Sequence, residues 1–181
     1  MRIVGGRWAG RDLVSPGAGV RPTSEPVRDR WLSLLEQEIE GARVLDLFAG
    51  TGALGLEAMS RGAARVDFVE NGPASLHALK ANVAAFRLRK KARIFKRDVI
   101  PFVEALGPAT YDVAFADPPY GSRKLDRVIE QWLRVPFSRI LAVEHDRDHH
   151  IPGRAKHHDV GGQTRVSVYV APRESKGRAS E

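Results

Sequence analysis

The segment Val44-Leu45-Asp46-Leu47-Phe48-Ala49-Gly50-Thr51-Gly52-Ala53-Leu54-Gly55 constrains this chain more than any other feature. A short run of strand character leads into glycines spaced G-x-G-x-x-G, and helix-forming residues follow at once. Such a turn hands a strand over to a helix in a few residues and leaves the helix's first amide groups open to a ligand. The remainder keeps the same rhythm. Strand-like Arg43–Phe48, Val66–Glu70, Ala92–Lys96, Tyr111–Ala116 and Arg139–Glu144 alternate with helical segments from Ala53 to about Arg61, Ala74 to about Leu88, Val99 to Leu106 and Leu125 to Leu133. That order predicts a parallel, doubly wound sheet with helices on both faces. Gly153 and the pair Gly161-Gly162 bracket two last segments, the second being the alternating Thr164–Val170, which predicts an antiparallel hairpin on the sheet edge.

Ahead of the first strand, Gly5-Gly6 and Pro16-Gly17-Ala18-Gly19 break residues 1–23 into an irregular or hairpin-like extension. Thr23 or Ser24 then caps a helix carrying Val27, Trp31, Leu34 and Leu35, which ends before Gly41. The expected organisation is a basic extension and helix over 1–40, a ligand-binding domain over 41–172 and a disordered tail over 173–181.

With 181 residues, 43% of them hydrophobic and 28% charged, the chain is sized for one compact domain. It has no cysteine, which excludes disulfides, thiol catalysis and thiolate metal sites. No apolar run approaches the roughly 20 residues of a membrane helix, so a cytoplasmic location is the expectation. A net charge of +7 points to a polyanionic partner or to solvated arginine-rich surface.

The glycine turn admits two ligands. Its spacing fits dinucleotide-binding turns, with Glu70 about 20 residues on, where an acid grips ribose hydroxyls; that reading gives a nicotinamide-dependent oxidoreductase. Asp46 opposes it, because a carboxylate at the end of the first strand repels a pyrophosphate but suits a ligand carrying an ammonium or sulfonium charge, such as S-adenosylmethionine. The tetrapeptide Asp117-Pro118-Pro119-Tyr120 follows the fourth strand, on the edge where open α/β sheets place ligands. An exocyclic amine on a base is a poor nucleophile because its lone pair is delocalised into the ring. Asp117 and the Pro118 carbonyl can accept its protons, turn the lone pair outward and stabilise the growing positive charge. The prolines hold those acceptors rigid, and Tyr120 offers a face for an unstacked base, worth about 1–3 kcal/mol.

These residues resemble the class I S-adenosylmethionine-dependent methyltransferases, and within them the RsmD-type 16S rRNA (guanine-N2)-methyltransferases. The resemblance runs through Arg2-Ile3-Val4-Gly5-Gly6, Gly10-Arg11, Arg21-Pro22-Thr23, Val27-Arg28, Asp46 to Ala58, Ser60-Arg61-Gly62-Ala63 and Asp117 to Tyr120. It implies a Rossmann-like, mostly parallel seven-stranded sheet and S-adenosyl-L-methionine as cofactor. Asp46, Phe48, Ala49, Gly50 and Gly52 would hold the methionine part, Glu70 the ribose, Asp98 and Val99 the adenine, and Asp117 to Tyr120 the target guanine. The implied partner is 16S rRNA, within an assembling small ribosomal subunit. The chain departs from the family pattern at Leu32-Ser33, at Asn71-Gly72 and through its last third. An adenine N6 in DNA and a protein glutamine remain as other targets of related tetrapeptides, and a non-catalytic RNA-binding assembly factor as another class.

Arg7, Arg11, Arg21 and Arg28 of the extension are the expected RNA contacts. Arg87 to Arg97 holds seven cations in eleven residues and no acid, but its place between a helix and the next strand predicts the sheet edge opposite the ligand site. His145, His149, His150, His157 and His158 gather with Asp146, Asp148 and Asp159. Their spacing matches no standard zinc pattern, and sulfonium methyl transfer needs no Lewis acid, so no metal is expected.

Overall fold

The computed structural model describes residues 1–15, 23–119 and 121–172. Seven strands form one sheet: β1 (Arg43–Leu47), β2 (Arg65–Glu70), β3 (Ala92–Lys96), β4 (Tyr111–Ala116), β5 (Ser138–Asp146), β6 (Lys156–Gly161) and β7 (Thr164–Val170), in the spatial order β3-β2-β1-β4-β5-β7-β6. The first five are parallel; β7 pairs antiparallel with β5, and β6 with β7. The mostly parallel sheet with its antiparallel terminal hairpin is therefore as the sequence predicts. The reversal of strand order between β1 and β4 opens a crevice at their carboxyl ends, the usual ligand position in such sheets.

Alternation along the buried strands splits the core in two. Val44, Phe68, Val113, Phe115 and Ala142 face one side and pack with α1 (Glu25–Leu34), α3 (Ala53–Ser60) and α4 (Pro73–Ala85) through Trp31, Leu32, Leu56 and Leu79. Leu45, Val69, Ala114 and Leu141 face the other and pack with α5 (Val99–Glu104) and α6 (Lys124–Arg134) through Val103, Val128, Ile129 and Trp132. Asp46 therefore points to the α3 side, within reach of the glycine turn. The expected single helix before Gly41 is two: α1 ends at Leu34, and the short α2 (Glu36–Ile39) follows after Leu35 leaves helical geometry at φ −117°. The expected tail, 173–181, lies outside the described residues.

Residues 1–15 are fastened to the sheet. Ile3 and Leu13 belong to the same hydrophobic cluster as the strands, and the hairpin is closed by Ile3 N donating to the Arg11 carbonyl (2.9 Å) and Gly10 N to that of Ile3 (2.8 Å). The fastening centre is Glu57 of α3. Its carboxylate accepts from the Val4 amide (2.9 Å), the Gly5 amide (2.6 Å) and Arg28 Nε (3.3 Å), and Glu57 and Arg28 are both fully buried. Arg28 in turn donates to the carbonyls of Arg2 and of Thr23. This corrects the expectation for Arg28: a guanidinium with no exposed surface and three protein partners is a structural clamp and cannot reach a phosphate.

Removing one partner of a buried pair leaves an uncompensated charge, at about 3–5 kcal/mol. Glu57→Ala should therefore lower unfolding free energy by about that amount in urea titration; a loss below about 1 kcal/mol would place the pair among exposed ones.

Candidate active site

A cleft of about 610 Å³ opens at the carboxyl ends of β1, β2, β4 and β5. Its wall includes Asp46, Phe48, Ala49, Gly50, Glu70, Asp117, Pro118 and Pro119, so eight of the twelve predicted catalytic and cofactor residues share one space. Tyr120 lies outside the described residues, as does Arg21. Gly52 is set behind the wall: at φ +81° it starts α3, and a Cβ there would meet Leu79 Cδ1 at 2.5 Å. Its role is packing and a left-handed turn. Gly50, at φ +57° with only the Phe48 carbonyl within 4 Å of a built Cβ, instead keeps the cleft floor open. Phe48 itself takes φ +58°, an uncommon conformation for a bulky residue, on the rim of the same turn.

Each carboxylate is held by a particular donor. Asp46, buried, accepts from the Gly55 amide at 2.9 Å. Burial pushes its pKa well up against that hydrogen bond, and repulsion from Asp117 and Glu70 adds to the shift. Glu70 binds the Gly50 amide (2.8 Å) through one oxygen and the amides of Asn71 (2.8 Å) and Gly72 (2.6 Å) through the other. The glycine-turn amide that would face a pyrophosphate in a dinucleotide site is thus already occupied by a carboxylate. Asp117 accepts a hydrogen bond from the Thr23 hydroxyl, and burial raises its pKa to about 6 while that bond pulls the other way.

Asp98 and Val99 lie one layer back. Asp98 caps α5 through the Ile100 amide (3.0 Å) and pairs with Lys124, whose bond holds its carboxyl below the usual range. Val99, the first residue of α5, is buried in the core. Lys124 and not Asp98 lines the cleft. Among the lining residues described there are four carboxylates, Asp46, Glu70, Asp117 and Glu144, against the single ammonium of Lys124. Such a wall repels a pyrophosphate and favours a ligand with a positive centre.

The sequence reading missed Thr23, Lys124 and Glu144. In the sequence Thr23 is a possible helix cap and part of Arg21-Pro22-Thr23; in the structure Ser24 is the cap, its hydroxyl accepting from the Val27 amide (3.4 Å) and freeing Thr23 for Asp117. Glu144 follows Val143, which is in register with Ala116, so it stands beside Asp117 on the neighbouring strand. Nothing in the sequence around Glu144 announces that neighbour.

The histidine segment borders a smaller space of about 40 Å³ behind Asp117-Pro118-Pro119. Ser167 Oγ lies 2.7 Å from both His145 Nε2 and His157 Nδ1, and His149 meets Asp126 at 2.8 Å. Burial lowers the pKa of His145. Among the described residues no group of three or more histidines and carboxylates is arranged to hold a metal ion, and no helix is long and apolar enough to cross a membrane.

Comparison with known proteins shows which proteins the chain resembles. The family model described as Conserved hypothetical protein 95 matches residues 1–169. The chain is 31% identical over 156 residues to Ribosomal RNA small subunit methyltransferase D of Haemophilus influenzae, covering 82% of this chain and 80% of that protein. It is 38% identical over 130 residues to the protein of the same name from Escherichia coli K12, covering 71% of this chain and 65%, just under two thirds, of the relative. The solved structure of a hypothetical protein from Thermus thermophilus superposes with a TM-score of 0.79 at 29% identity, over 94% of this chain and 99% of that one.

The Thr23 hydroxyl lowers the Asp117 pKa, so Thr23→Val should raise it further above about 6, followed as the pH midpoint of the side-chain carboxyl carbon signal by NMR. A midpoint that stays put or falls would mean that the hydroxyl does not contact the carboxylate.

Proposed function

Because this chain belongs to the Conserved hypothetical protein 95 family, we propose that it transfers a methyl group from S-adenosyl-L-methionine to the exocyclic N2 amine of a guanine in 16S rRNA, in the cytoplasm and on an assembling small subunit. The observation that carries this reading is the meeting of the acidic, pyrophosphate-repelling glycine turn with Asp117-Pro118-Pro119 in one cleft. The donor set fits the cofactor at its methionine and ribose parts: buried Asp46 and the open floor at Gly50 suit the cationic methionine end, and Glu70 the ribose. When bound, S-adenosylmethionine supplies a methyl group carried on a positively charged sulfur.

The chain's own residues do the rest. Asp117 and the Pro118 carbonyl accept the two amine protons and orient the lone pair across the cleft. As nitrogen gains its new bond, one N–H proton must leave, and a carboxylate with a pKa near 6 is a suitable acceptor at neutral pH. Thr23 fixes the rotamer of that carboxylate. Rate should therefore rise with pH through about 6 as Asp117 ionises, and Asp117→Asn should remove that limb together with most activity. A methylation profile in which the Asn variant keeps both the rate and the limb would refute the role.

Calorimetry separates this reading from an oxidoreductase. S-adenosylhomocysteine should bind and NAD should not; the reverse result ends the proposal. A non-catalytic assembly factor would bind small-subunit particles without methylating them, in the unaltered chain as in Asp117→Ala.

A further inference from the structure

Two basic segments far apart in the sequence meet in the fold. Arg11 donates from its guanidinium to the carbonyl of Ala85 (3.2 Å), the last residue of α4, and lies 4.2 Å above the ring of Phe86. Trp8 packs on the same ring with centroids 4.8 Å apart, and Arg7 sits 4.2 Å over Trp8. Arg87 follows directly. At the other end of the run, the Lys91 carbonyl accepts from the Val66 amide (2.9 Å) at the start of β2. The N-terminal hairpin and the run thus share the edge of the sheet where the strands begin. The six residues of β2 separate that edge from Glu70 in the cleft by roughly 20 Å, at about 3.3 Å per residue.

Arg7, Arg11, Arg87, Arg89, Lys90 and Lys91 are all exposed, and among the described residues none of the six has an ion-pair partner. Phe86 and Leu88, on either side of Arg87, are buried at 5% and 4% exposure, so neither offers an apolar anchor for a bilayer there. The two guanidiniums of the hairpin each stand 4.2 Å over an aromatic ring, contacts that restrain them for paired hydrogen bonds with phosphate.

We infer that these six residues form one surface that binds the phosphodiester backbone of RNA on the side of the protein opposite the cleft. This rests on the reading of the substrate as RNA and adds a second point of contact, so that the RNA is held both at the target base and about 20 Å away. It gives the run a contact with the RNA backbone at the remote position that weakens it as a contact to the target base. Arg7 and Arg11 share that remote position; they belong with the run and not with the cleft.

The test uses the full chain and a fluorescein-labelled RNA hairpin of mixed sequence, with affinity followed by anisotropy between about 50 and about 200 mM salt. Each contact to a phosphate contributes about 0.7–0.9 to the slope of log affinity against log salt. Lys90→Glu/Lys91→Glu and Arg7→Glu/Arg11→Glu should each lower that slope by about 1.4–1.8 and weaken binding roughly tenfold or more at the lower salt. S-adenosylhomocysteine affinity should be unchanged in both, which certifies their fold. A double reversal of equal charge elsewhere, Arg154→Glu/Lys156→Glu, should leave the slope within about 0.5 of the unaltered chain. The inference is overturned if the first two variants bind as the unaltered chain does, if the control falls equally, or if anionic phosphatidylglycerol vesicles compete fully with the hairpin through the same lysines. RNA binding that depends on these cations without methylation of small-subunit particles would keep the surface and refute the functional reading.

Discussion

A single buried carboxylate organises the N-terminal part of this molecule. Glu57 sits on the helix that the glycine turn launches, and it gathers the Val4 and Gly5 amides and the Arg28 guanidinium into one desolvated cluster. Arg28 extends the cluster to the carbonyl of Thr23, whose hydroxyl then reaches Asp117. The N-terminal segment is thereby coupled to the carboxyl end of β4 through a chain of hydrogen bonds. Without that pairing the first 15 residues would rest on Ile3, Leu13 and scattered hydrogen bonds such as those of Trp8 to Ser60 and Val14 to Asn82, and Asp117 would lose the donor that restrains its carboxylate.

The second organising constraint is the sorting of charge. The cleft concentrates carboxylates that the protein keeps partly out of water, at some electrostatic cost: Asp46 and Asp117 both hold their protons more tightly than an exposed acid does. Such destabilisation is characteristic of sites that await a partner of opposite sign. Six exposed cations without ion-pair partners among the described residues lie elsewhere, contributed by two segments remote in the sequence. The excess of +7 is therefore not spread evenly, and an RNA attracted to the basic edge would meet an acidic cleft that excludes its phosphates and accepts a neutral base.

Much of this was legible in the sequence, for a definite reason. Parallel strands buried on both faces read as apolar runs, and the residues that matter most, Asp46, Glu70 and Asp117, lie near the ends of such runs, so finding the strands finds the site. Gly50 and Gly52 were legible as a pair but do different work, one opening the floor and the other admitting Leu79. What stayed hidden depends on partners distant in the chain. Arg28 looks like any arginine of a basic extension until Glu57, 29 residues on, buries it. Arg7 and Arg11 carry no sign that they dock on Trp8 and Phe86, and Thr23 none that Asp117 lies 94 residues ahead.

The account stands or falls on where a transferred methyl group lands. Unmethylated small-subunit particles incubated with the protein and isotopically labelled S-adenosylmethionine, then digested and mapped by mass spectrometry, give the answer directly. The account predicts label on the N2 amine of a guanine in 16S rRNA and on no other nucleotide. Label on an adenine or on ribosomal protein, or particles left unlabelled by a protein that binds the cofactor, would contradict it.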